Sequence, residues 1–146
     1  MTFKSIAVAA LVALLGVAVA SPAPGKSGGS LHAKLTGKAE VPKGDPDGAG
    51  TAEVKITGTS VCWELTTSRI NAPNAAHIHK GAAGVAGPVV VPFGASYKAK
   101  GCAKTTAAVA SAIKRSPALY YVNLHNAKYP AGVLRGQLSA DDSMMG

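Results

Sequence analysis

Between Leu31 and Leu138 apolar side chains recur with a period of two, in short runs closed by glycine, proline, asparagine or aspartate. Successive side chains of an extended strand point to opposite faces, so a chain that repeats this pattern between tight turns must pair its strands antiparallel and bury one face of them. Leu31-His32-Ala33-Lys34-Leu35-Thr36-Gly37 alternates, Lys38-Ala39-Glu40-Val41-Pro42 reads as an extended edge segment, and Lys43 to Gly50 is a polar loop. Thr51 to Ile56 places Ala52, Val54 and Ile56 on one face, Gly58-Thr59-Ser60 turns, and Val61 to Thr66 forms the next strand. The expected class is all-β, an antiparallel sandwich or barrel.

Further along, Tyr120 to His125 alternates so that Tyr121, Asn123 and His125 share one face and Tyr120, Val122 and Leu124 the other; Asn126 to Gly132 is a loop and Val133 to Leu138 the last strand. One segment breaks the rhythm. Lys104 to Arg115 is Ala-rich, with Val109 and Ile113 four apart, Thr105 or Thr106 as a cap and Pro117 beyond its end, which predicts one short surface helix.

Met1 to Ala20 carries one cation, Lys4, an apolar run from Ile6 to Val19, and Ala18-Val19-Ala20 before Ser21, the small-x-small pattern of a Sec-type signal cleaved after Ala20. The run is too short to span a membrane, and the reading is a secreted or periplasmic protein that is not membrane-spanning. Residues 21–30, rich in Pro, Gly and Ser, form a flexible linker, residues 31–140 one domain, and residues 141–146 a tail. There are 15 Lys plus Arg against 7 Asp plus Glu, and with Lys4 lost the exported chain keeps a net charge of about +7. The cations are scattered, without a dense run or interleaved aromatics, which argues against a nucleic-acid partner. Cys62 lies in a strand and Cys102 in the connection before the helix; in an oxidising compartment two cysteines have one pairing, a Cys62–Cys102 disulfide.

The chemistry concentrates between Ala75 and Phe93. His77 and His79 share a strand face, about 6.5–7 Å apart along the backbone. Behind them come a bend with Gly81, Gly84, Gly87 and Pro88 and then Val89-Val90-Val91, which reads as a buried strand; a third imidazole, His125, ends a later strand. Two readings follow. The three neutral rings hold copper or zinc, or the pair hydrogen-bonds loop backbone and simply fixes the bend. His32 is a fourth ligand or a surface residue. Arg135, in an otherwise apolar strand, is a buried cation clamped to Glu40 or Glu64, or a catalytic group. Met144 and Met145 offer soft sulfur to Cu(I), or are part of a loose end. No nucleophile triad, carboxylate pair, phosphate loop or nucleotide motif is present, so only a metal would give an enzyme its chemistry.

Three blocks, from Leu35-Thr36-Gly37 to Val41-Pro42, from Ala76-His77-Ile78-His79 to Val89-Val90, and from Tyr120 to His125 with Pro130 to Leu138, resemble the CHRD (chordin) domain family in its order, over about residues 31 to 140. The resemblance implies an all-β extracellular module, as in the animal antagonist chordin and in standalone secreted bacterial proteins, and with it an extracellular protein partner. A second resemblance lies in the site. His-x-His before a Gly-rich loop, then a strand ending in His, then Gly-x-x-Arg-Gly, is similar in order to the copper-side ligands and active-site arginine of copper/zinc superoxide dismutases. That resemblance implies a Greek-key-like, superoxide-dismutase-like sandwich, with copper on His77, His79 and His125 and Arg135 beside it; apart from the resemblance, Arg135, Glu40, Asn123 and His32 are candidates for supporting or structural roles around the three ligands. The pattern lacks the bridging histidine and the zinc-site aspartate, which weighs against dismutase activity. Three functions follow: a metal-binding protein with copper favoured and zinc second, an interaction module with structural histidines, or a copper-dependent redox enzyme. The exported protein should begin at Ser21 by intact mass; a chain still carrying Met1 would overturn the signal reading.

Overall fold

The computed structural model describes residues 29–140. The signal segment, most of the linker and the tail with Met144 and Met145 lie outside them. Eight strands form among the described residues: β1 (Leu31–Thr36), β2 (Ala49–Thr57), β3 (Ser60–Ser68), β4 (Ala75–Lys80), β5 (Val89–Pro92), β6 (Lys100–Lys104), β7 (Tyr120–His125) and β8 (Leu134–Gln137). They make one antiparallel sheet in the order β5-β4-β7-β8-β1-β2-β3-β6. Two halves, β5-β4-β7-β8 and β1-β2-β3-β6, meet at the β8–β1 seam, where Thr36 pairs with Arg135. The terminal strands β5 and β6 approach one another, so the sheet is a nearly closed, sandwich-like barrel.

Alternation explains the closure. The inward residues Leu35, Val54, Val61, Ile78, Val122, Leu124 and Leu134 are fully buried in one apolar core contributed by both halves. Trp63 of β3 stacks on Phe93, which follows β5, with centroids 4.2 Å apart, and its indole N–H donates to the Lys98 carbonyl at 2.9 Å. That pair ties the two ends of the sheet together. Helix α1 (Ala107–Arg115) begins where its cap residue dictates: the Thr106 hydroxyl accepts from the Val109 N–H at 3.2 Å, and Ala110 and Ile113 enter the core.

The disulfide Cys62–Cys102 is formed. Its setting differs from the expected one, because Cys102 sits not in a connection but in β6, directly opposite Cys62 of β3. Lys100-Gly101-Cys102-Ala103-Lys104 has no apolar alternation to announce a strand; pairing with β3 makes it one. Lys38 to Pro42 is likewise not an extended edge: Gly37–Ala39 is a 3-10 turn that carries Glu40 into a buried position. Val89 to Val91 is a strand but not a buried one, since β5 ends the sheet and leaves Val89 46% exposed, with Val91 alone of the three fully covered. A cross-link spanning 40 residues of sequence restricts the unfolded chain. Replacing both cysteines with serine should lower the unfolding free energy by about 3–4 kcal/mol in the chain-entropy account; a denaturation midpoint equal to that of the oxidised parent would contradict it.

Candidate metal centre

The face of β4, β7 and β8 turned away from the core is also covered, by polar side chains. Tyr121, Asn123 and Arg135 are each 3% exposed or less, yet none belongs to the apolar core. Register places them together. His77 lies opposite Asn123 and His79 opposite Tyr121 across the β4–β7 pair, and Asn123 lies opposite Arg135 across the β7–β8 pair. His125 ends β7 two residues beyond Asn123, on the same face.

The three histidines converge. Each offers one nitrogen to a group whose members all lie within 4.8 Å of one another, and ring centroids are 5.5 Å apart for His77 and His79 and 5.1 Å for His77 and His125. The His79 Nδ1–H donates to the Gly87 carbonyl at 2.8 Å, which leaves Nε2 as a bare lone pair. Buried His79 Nε2 and His77 Nδ1 have no hydrogen-bond partner. His125 approaches the Pro130 carbonyl through Nδ1 at 2.9 Å and the Asn123 Oδ1 through Nε2 at 3.2 Å. Burial, with the charges of His125 and then His79 added, holds His77 below the ordinary histidine pKa. Burial does the same for His79 against the opposing pull of the Gly87 carbonyl. Both rings are therefore neutral near pH 7, as metal ligands must be.

A loop, residues 81–88, is fastened over this face. The Arg135 guanidinium lies 3.4 Å over the Tyr121 ring, while His79 stacks on Tyr121 from the neighbouring strand with centroids 4.9 Å apart. Arg135 Nη2 donates to the Ala82 carbonyl at 2.8 Å, and Gln137 Nε2 donates to the Gly81 carbonyl at 3.0 Å. The Gly87 N–H donates to the Tyr121 hydroxyl at 3.1 Å. Gly87 must be glycine, because a Cβ there would overlap the Lys80 carbonyl. Its own carbonyl can then reach His79.

The structure also places the remaining candidates. Arg135 is buried, and Tyr121, Ala82 and Gln137 take up its guanidinium, while Glu64 pairs instead with Lys100 at 2.8 Å. His32 does not join the cluster. It lies four residues along β1 from Thr36, about 13 Å at 3.3 Å per residue, in a cleft with Thr51, Glu53, Glu64 and Thr66. Glu40 is buried nearby and its pKa is raised to about 7 by burial, against the Asn123 hydrogen bond and the Arg135 charge, which lower it. Gly132, at φ +148°, makes room for that carboxylate, since a Cβ would run into it. Tyr121 and Gln137 had no role assigned from sequence, although each is two residues from a candidate on the same face, Asn123 and Arg135.

The fold and this cluster define an all-β barrel-like module with a three-histidine centre under a loop on its outer face. The sequence matches the CHRD domain family over residues 31–138, and the chain belongs to that family. No curated protein and no solved structure matches the chain. Among the described residues no helix is long and apolar enough to cross a membrane.

Arg135→Met should lose a charge-assisted hydrogen bond and the stack on Tyr121, lowering stability by about 2–3 kcal/mol. Hydrogen exchange at Gly81, Val85 and Gly87 should accelerate with it. An unchanged melting temperature would reject the clamp.

Proposed function

We propose that this is a secreted or periplasmic CHRD-domain protein that binds a transition metal, copper in preference to zinc, through His77, His79 and His125. One observation carries the reading: two buried imidazole nitrogens, His77 Nδ1 and His79 Nε2, have no partner and stand in a group whose ligand atoms lie within 4.8 Å of one another. Buried polar atoms are ordinarily satisfied, and two unpartnered imidazole nitrogens in one cluster fit a cation. Metal–nitrogen bonds of about 2.0 Å put tetrahedral ligand nitrogens about 3.3 Å apart, so the most widely spaced rings need to close by up to about 1.5 Å.

The chain's own groups do the rest. The Gly87 carbonyl fixes the His79 tautomer, as outer partners do for metal-binding imidazoles, and Tyr121 fixes the plane of its ring. Half-burial of the rings limits water without closing the site. A bound copper ion would supply Lewis acidity and one-electron redox capacity. The proposal is one of binding rather than catalysis, since Arg135, the cation expected to meet a bound anion, is committed to Tyr121 and the loop.

Tag-free protein purified from the periplasm should carry metal on elemental analysis and should bind Cu(II), Cu(I) or Zn(II) at micromolar concentration or below on titration. Each single His→Ala change should cost on the order of tenfold or more in copper affinity. Affinity should hold at neutral pH and fall as acid protonates the rings: with His77 and His79 held below the ordinary histidine value of 6.5, the loss sets in below that pH. Protein that takes up neither copper nor zinc ends the proposal and leaves the histidines as loop supports in an interaction module.

A further inference from the structure

Asn123 occupies the middle of the outer face. It lies opposite His77 on one neighbouring strand and Arg135 on the other, and is 3% exposed. Its Oδ1 lies 3.2 Å from His125 Nε2. That oxygen stands beside a cluster in which two rings, His77 and His79, each carry an unpartnered buried nitrogen.

We infer that Asn123 Oδ1 is the fourth donor of this centre, giving a three-nitrogen, one-oxygen set that favours a divalent ion, Cu(II) or Zn(II), over Cu(I). The inference rests on the metal-binding reading above. Carboxamide oxygen is a hard donor that adds affinity for divalent ions and little for soft Cu(I), whereas the three imidazoles serve all of them.

The test compares Cu(II), Zn(II) and Cu(I) affinities, by competition titration, of the full mature protein and of Asn123→Leu, which keeps the volume and removes the oxygen. Cu(II) and Zn(II) affinity should fall about tenfold with Cu(I) affinity unchanged, and the Cu(II) electron paramagnetic resonance spectrum should shift toward fewer oxygen donors. Asn123→Asp, of the same shape, should raise divalent affinity while leaving Cu(I) where it was. Equal losses for all three ions in Asn123→Leu, with no divalent gain in Asn123→Asp, would make Asn123 structural and overturn the inference. Unchanged affinities and an unchanged spectrum in both variants would overturn it too, with the histidine site standing. A parent protein that binds none of the ions would remove both together.

Discussion

Everything on the outer face depends on Tyr121, held between two strands that bring it unlike partners. From β4 comes the His79 ring, from β8 the Arg135 guanidinium, and the hydroxyl is left to receive the Gly87 N–H. An aromatic ring with a cation on one side and an imidazole on the other is a rigid unit that does not need a hydrophobic core around it. It converts a flexible Gly-rich loop into a lid with fixed carbonyls. One of those carbonyls decides which nitrogen of His79 is bare. Loop, ring orientation and imidazole tautomer are therefore one arrangement, and strand β7 is buried on both faces because of it.

That second buried layer is expensive in desolvation, and the structure shows where the cost falls. Arg135 is covered but has carbonyl, amide and π partners. Glu40 is covered with one carboxylate oxygen lacking a partner, and burial raises its pKa to about 7. His77 and His79 are covered with one bare nitrogen each and are pushed the other way, toward neutrality. Burial thus favours the uncharged form of every titratable group that is left incomplete. A cation entering among the rings would replace missing hydrogen bonds with coordination, and the proposed metal binding rests on that.

The two halves of the barrel divide the labour. The half built from β1, β2, β3 and β6 contains the disulfide and the Glu64–Lys100 pair, both on strands whose outer faces meet solvent. The half built from β5, β4, β7 and β8 carries the loop and the imidazoles. Trp63 on Phe93 is the contact that lets one half brace the other through the core.

Local pattern in the sequence determined the strands with clean alternation, the helix from its Thr106 cap to Pro117, the disulfide partners, and the sharing of one face by His77 and His79 and of another by Tyr121, Asn123 and His125. Each of these follows from a period of two, a capping residue or a single pairing option, which are properties of neighbouring residues. Only the tertiary structure decided that the two histidine-bearing faces are the same surface, because β4 and β7 are adjacent through a pairing that crosses 40 residues or more of chain. It also made a strand of Lys100–Lys104, exposed Val89, turned Glu40 inward, sent His32 to the other half and laid Arg135 over Tyr121. Those outcomes turn on which strand lies next to which and on what each side chain meets there, and no local spacing records that.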